Sequence, residues 1–178
     1  TFRSDLYDGV TRNPEVTFGD TLEGDLIRRD FACNAMAIEL SLDDELRLSP
    51  TFHDPVDGLS DLVEQVLDTP QAPEVSFRDD PLRMLRAARF VSQLGFTVAD
   101  RVFDAMCDMA GEIERITAER VQAELDKLML GARPWEGIDL LVSTGLASYI
   151  LPEIPALQLE TDEHMQHKDV YRHSLTVL

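Results

Sequence analysis

Cysteine is almost missing from this sequence: Cys33 and Cys107 are the two among 178 residues. So small a supply excludes a disulfide-stapled scaffold. Both sit among apolar neighbours, so the expectation is two buried free thiols in a reducing cytosol, neither paired nor reactive. Lysine is equally scarce, with Lys127 and Lys168 set against fourteen arginines. Positive charge as a whole is short. The formal net charge is −18, which excludes a surface that binds nucleic acid everywhere. No apolar run reaches the roughly eighteen residues a membrane helix needs. No basic-then-apolar opening suggests a secretory signal, so a cytoplasmic placement is expected. What is present, 44% hydrophobic and 28% charged residues, is ordinary for a soluble chain that builds a core.

Turn signals fall at Asp8-Gly9 and Asn13-Pro14. Asp20-Thr21-Leu22-Glu23 resembles a capping box and predicts a helix running to about Phe31. Met36, Ile38 and Leu40 alternate with Ala37 and Glu39, a strand pattern, and Leu46 to Phe52 reads as its hairpin partner. A turn at Asp54-Pro55 and Gly58 precedes a short helix from about Ser60 to Gln65. The stretch DTPQAPEVS, 68–76, reads as a linker. Beyond it the helical period takes over, at 78–94, 99–111, 117–130, 135–145 and from about 167. Gly95, Gly111, Gly131 and Gly145 follow four of these helices, where a left-handed cap favours glycine. Thr1 and Leu178 both lie inside patterns that read as unfinished, so the sequence is expected to be an excerpt of a longer chain.

Six of the fourteen arginines lie in two short segments, 28–29 and 78–89. Genomic base composition would explain many arginines, but not their clustering. On a helix beginning at Pro81, Met84, Leu85, Ala88 and Val91 share an arc of about 120° that would enter a core. Arg83, Arg86 and Arg89 take the opposite arc. The plain reading of that arc is a solvated face, with Asp80 as the N-cap of a helix whose first residue is Pro81. A sharper reading comes from donor and acceptor geometry. A carboxylate accepts while a guanidinium donates in a planar fork. Side by side, Asp80 and Arg83 match an edge bearing an exocyclic amine beside a ring nitrogen acceptor, as in cytosine and adenine. Uracil and guanine reverse that pattern and would leave polar groups unpaired, at about 1–3 kcal/mol each.

Four segments then carry a resemblance: GDLIRRDFACNAMAIEL (24–40), DPVDGLSDL (54–62), FRDDPLRMLRAARFVSQLGF (77–96) and ERVQAELDKLML (119–130). In order, they resemble the bacterial CCA-adding tRNA nucleotidyltransferase and poly(A) polymerase family. The flavour of TFRSDLYDGVTRNPEVTFGDTLEGDL and HKDVYRHSLTVL is similar to its actinobacterial CCA-adding branch. The resemblance implies an α+β fold. Residues 1–70 would be the C-terminal portion of a nucleotidyltransferase head or palm. Residues 71–148 would form a helical neck that reads the nucleobase and binds RNA, and 149–178 the start of an HD-type helical domain. It implies addition of CCA to the tRNA 3′ end from CTP and ATP, with poly(A) synthesis from ATP alone as the rival within the family. The rival from another class is a non-catalytic acidic helical binding module.

By position, the resemblance makes Arg29, Asp80, Arg83, Arg86 and Arg89 the nucleotide contacts, supported by Arg28, Asp30 and Asn34. Asp79 stands where the family usually has Glu, and Ala32 where Thr is common. The Gly-rich loop and Asp-x-Asp ligands that hold Mg²⁺ in the family belong upstream of Thr1, so no catalytic or metal-binding residue is expected in this chain. By itself it is expected to be inactive. Without the resemblance, Arg28-Arg29-Asp30 is simply positive charge near a helix C-terminus, and Asp54, Gly58 and Asp61 are a turn and a helix start. Glu119, Arg120 and Glu124 read as neck-helix structure around a stripe of Val121, Leu125, Leu128 and Met129. His164, His167 and His173 crowd the last fifteen residues. The resemblance makes His173 the first ligand of an HD site whose remaining ligands are missing here.

Overall fold

A computed structural model describes residues 21–43, 46–157 and 170–177, and the backbone alone at 4–6 and 15–17. The turns at Asp8-Gly9 and Asn13-Pro14 lie outside the described residues. The chain divides into two compact units, residues 1–79 and 80–178.

In the first unit β1 (Ser4–Leu6) pairs antiparallel with β2 (Glu15–Thr17). Helix α1 (Leu22–Ile27) is capped by Thr21, whose extended backbone lets its hydroxyl accept from the Gly24 N–H at 3.1 Å. The helix expected to reach Phe31 ends a turn early. Arg28 is its C-cap, and after a bend one 3₁₀ turn follows at Ala32–Asn34. Packing explains the break. Leu26 and Phe31 are both fully buried, yet on one continuous helix they would point about 140° apart.

Strands β3 (Ala37–Leu42) and β4 (Leu48–His53) form the expected hairpin, in the register Ile38↔Phe52, Leu40↔Pro50, Leu42↔Leu48. These pairs make one apolar face; the other carries Glu39, whose carboxylate lies 3.0 Å from His53 Nε2. The apolar face is open, with Ile38 64% and Phe52 51% exposed. Alternation says which residues share a face, not whether that face is covered.

Helix α2 (Gly58–Glu64) starts on Asp54, whose two carboxylate oxygens accept from the N–H groups of Gly58 at 2.7 Å and Leu59 at 2.9 Å. A two-residue strand, β5 (Val66–Leu67), follows. The expected linker is not one. Leu67, Thr69, Ser76 and Phe77 are buried, Thr69 Oγ1 donates to the Gln71 carbonyl at 2.6 Å, and α3 (Pro73–Asp79) begins within the stretch. Proline at its first position lacks an N–H that the helix start would leave unpaired anyway.

The second unit opens on α4 (Leu82–Leu94), which the expectation had merged with the preceding helix. The break falls at Asp80-Pro81 because the proline ring disfavours helical backbone in the residue before it. Next come β6 (Thr97–Val98), α5 (Asp100–Met109), a 3₁₀ segment at Ala110–Arg115, α6 (Ala118–Met129) and α7 (Pro134–Ser143). Short helices α8 (Ala147–Ile150) and α9 (Glu153–Ala156) follow, then α10 (Val170–Val177). The Tyr171 hydroxyl of α10 donates to Asp139 of α7 at 2.9 Å.

Helix α4 is the axis of this unit, packed by α6 and by α7. Met84, Leu85, Ala87 and Ala88 are fully buried. Ser92 ties the three together: its hydroxyl donates to the Leu128 carbonyl at 2.6 Å, and its own carbonyl accepts from the Arg133 N–H at 2.8 Å. Gly95 (φ 69°) and Gly145 (φ 80°) adopt the left-handed backbone expected of them. Gly111 and Gly131 do not. Gly111 lies inside the 3₁₀ segment, and Gly131 is small because a Cβ there would run into Ser92. The fold class is α+β, as read. Among the described residues no helix is long and apolar enough to cross a membrane.

Candidate functional site

Four of the expected contact residues, Arg28, Arg29, Asp30 and Asn34, meet in the first unit, where α1 ends. Asp25, one turn back from the end of α1, accepts from both arginines: Oδ1 from Arg28 Nη2 at 2.6 Å and Oδ2 from Arg29 Nη2 at 3.2 Å. Arg29 Nη1 reaches the Asn34 carbonyl at 3.4 Å, and Asn34 Nδ2 donates to Asp30 at 2.9 Å. The segment is thus a self-bonded loop presenting two guanidinium groups. Asp25 is the residue the sequence reading missed. Its signal was local, since positions three and four apart on a helix are neighbours.

The second group, Asp80, Arg83, Arg86 and Arg89, lies along α4. Asp80 accepts from the Leu82 N–H at 3.3 Å, and its carbonyl accepts from Arg83 N–H at 3.0 Å, so it starts the helix in the manner of an N-cap. Its carboxylate also takes two contacts from Arg120 Nη2 of α6, at 3.0 Å to Oδ2 and 3.4 Å to Oδ1. The arginine arc is not the solvated face that the helical wheel predicts. Arg89 is 9% exposed and Glu124 4%. Arg89 Nη1 lies 3.1 Å from Glu124 Oε2, Arg86 Nη1 3.9 Å from Oε1, and Lys127 Nζ donates to Oε1 at 2.9 Å. One buried carboxylate therefore faces three cations. The Arg89 contact is Coulombic rather than directed, since neither Glu124 Oε2 nor Arg89 Nε makes a hydrogen bond. The Arg89 guanidinium also stacks 4.3 Å from the Phe90 ring centre.

Arg120, Glu124 and Lys127 are spaced four and three apart, so they form one stripe of α6 laid along the acid and arginines of α4. Spacing along one helix puts the three on one face but does not say what that face meets. Glu124, read as neck-helix structure beside the stripe of Val121, Leu125, Leu128 and Met129, is buried, while Met129 of that stripe is 44% exposed.

Neither cysteine is fully buried, contrary to expectation: Cys33 is half-buried and Cys107 exposed, both as free thiols. Burial first, then the Asp30 and Asp61 carboxylates, pushes the Cys33 thiol from 9.0 up to about 11. Its folded value lies above the unfolded one, so the stability it contributes is complete below pH 9 and is lost as pH rises through about 11. We expect the stability gap between the wild type and Cys33→Ala to hold constant to pH 9 and shift above it in urea titrations. A gap that does not change with pH would refute this. His173 is exposed on α10, and His164 and His167 lie outside the described residues.

Residues 1–68 match the Poly A polymerase head domain, and residues 95–157 match a probable RNA and SrmB-binding site of polymerase A. The CCA-adding enzyme of Levilactobacillus brevis is 40% identical over 150 residues, 84% of this chain and 36% of that protein. The chain belongs to the CCA-adding enzyme and poly(A) polymerase family. Within the family, the CC-adding tRNA nucleotidyltransferase of Halalkalibacterium halodurans is 38% identical over 154 residues, 86% of this chain and 38% of its own. The crystal structure of the Bacillus stearothermophilus CCA-adding enzyme in complex with CTP superposes with a TM-score of 0.70 at 36% identity, covering 84% of this chain and 34% of that one. This family member thus spans about a third of the length of the curated relatives it matches.

Proposed function

We propose that this chain is the nucleotide-selecting part of a tRNA nucleotidyltransferase that adds CCA to tRNA 3′ ends from CTP and ATP. The observation that carries the reading is the Asp80 carboxylate, fixed at the head of α4 one helical turn before Arg83. Asp80 accepts from the exocyclic amine of cytosine or adenine, and Arg83 donates to the adjacent ring nitrogen. Arg29, with Arg28, Asp30 and Asn34 shaping its loop, binds ribose and phosphate. Arg86 and Arg89 brace the reader or hold phosphate. The enzyme names of the relatives and the CTP bound by the Bacillus structure support this assignment.

The Mg²⁺ that such chemistry implies finds no ligand set here: among the described residues no three of His, Cys, Asp and Glu are grouped to hold a metal ion. The work assigned to these residues is binding and selection. Transfer itself falls, on this reading, to the remaining length of the parent enzyme.

The test is a nucleotide panel on the full-length protein with a tRNA lacking its terminal CCA. Asp80→Ala and Arg83→Ala should each lower the preference for CTP over UTP by roughly tenfold to a hundredfold, the value of one unpaired polar group. Unchanged selectivity in both variants would favour a binding module without base reading. A product ending in repeated A, read by sequencing, would mark a poly(A) polymerase instead.

A further inference from the structure

The proposed reading uses Asp80 but not the guanidinium that grips it. Arg120 stands forty positions away in sequence, and its Nη2 lies 3.0 Å from Oδ2 and 3.4 Å from Oδ1 of Asp80. We infer that Arg120 is a specificity-determining positioning residue: from α6 it fixes the plane of the Asp80 carboxylate, so that the remaining acceptor positions face the base amine.

Three observations support this, given that Asp80 reads the base. First, the Leu82 N–H already holds Oδ1 at 3.3 Å. With Arg120 on Oδ2 at 3.0 Å and on Oδ1 at 3.4 Å, both oxygens are tied from the protein side, and Oδ2, with a single donor, keeps acceptor capacity for a ligand. A carboxylate so held need not be ordered anew each time a nucleotide binds. Second, the anchor of Arg120 is rigid. Its helix is seated by fully buried Leu128 and by the Ser92 hydroxyl on the Leu128 carbonyl. One turn along the same stripe, Glu124 holds Arg86 and Arg89, so α6 backs the whole row of α4. Third, the Arg120 side chain is 50% exposed and that of Asp80 23%. A pair so open to solvent adds little to stability. Its geometry is better accounted for by the direction it imposes on a group that must stay accessible.

The experiment compares CTP and UTP incorporation by the full-length protein, alongside Asp80→Ala. Arg120→Gln should lower the CTP-over-UTP ratio of kcat/KM about tenfold, mostly by raising KM for CTP, as expected when ordering shifts to the binding step. Its melting temperature should stay near the wild-type value. Arg120→Lys, which keeps one charged donor without the planar fork, should recover part of the ratio. If Asp80→Ala leaves the ratio intact, base reading by Asp80 fails, and this inference with it. If Asp80→Ala collapses the ratio and Arg120→Gln does not, the reading stands and the inference is overturned. Tighter CTP binding by Arg120→Gln would also overturn it, marking Arg120 as a competitor for the carboxylate. If Arg120→Gln unfolds, the Lys variant decides: a ratio between those of the wild type and Asp80→Ala supports the inference, and a full wild-type ratio overturns it by showing that the planar fork does not set the Asp80 carboxylate.

Discussion

Glu124→Ala should lower the stability of the helical unit by about 3–5 kcal/mol, the cost of removing one partner from a buried ion pair, and its melting temperature by at least about 12 °C. The size follows from what the deletion leaves behind. Glu124 has 6% side-chain exposure and Arg89 11%, with 3.1 Å between them. Without the acid, the Arg89 guanidinium stays buried beside Arg86 and Lys127 without the carboxylate that faces all three. Glu124→Gln should fall between the two, since its amide oxygen can still accept from Lys127 but brings no charge. The double variant Glu124→Leu/Arg89→Leu should recover much of the loss, because replacing both members of a buried pair by apolar groups removes the desolvation cost as well. Urea unfolding measures all three. A Glu124→Ala protein within 1 kcal/mol of wild type would mean that the cluster is solvated and the arginine row is not anchored by α6.

Gly58→Ala should cost about 3 kcal/mol in the first unit, at the upper end for overpacking. A Cβ at Gly58 would run into the Ala32 carbonyl oxygen and stand 2.7 Å from its carbon and 3.3 Å from Met36 Cγ. These are mainly backbone atoms, and backbone there has little room to move. The Ala32 N–H donates to the Asp68 carbonyl and the Ala32 carbonyl accepts from Ala35 N–H, both at 2.8 Å. Relief therefore has to travel along the 3₁₀ turn toward Asn34, whose carbonyl receives Arg29. The variant should lose stability in urea and also weaken any phosphate contact made by Arg29. Asp54→Ala is the control: it removes the two capping bonds of the same helix without touching Ala32, and should cost about 1 kcal/mol. Equal losses in the two variants would show that capping, not close approach, is what Gly58 serves.

How much of this was legible beforehand varies with the range of the interaction. The β3–β4 hairpin was, because alternation and a turn are properties of neighbouring residues. So was the start of α4 at Asp80-Pro81; the break before it comes from the same proline, whose ring keeps Asp80 out of helical backbone against the continuous helical period of 78–94. Thr21 as a cap was half-legible, since the box was placed one residue early. The linker reading failed at 68–76 because two prolines look like loop chemistry, whereas Pro73 is the first residue of a helix whose Phe77 fills the core. Gly131 was assigned to a backbone conformation when the reason was a contact with Ser92, 39 positions earlier in the chain.

By itself the sequence determined the β3–β4 hairpin, the start of α4 and which arginines share a loop or a helix face, because backbone periodicity and caps act within a few residues. Only the tertiary structure decided that Arg89 is buried, that Glu124 balances it, and that Asp80 is held by Arg120. Those pairings depend on α6 lying against α4, and no local rule of spacing specifies which face of one helix meets which face of another.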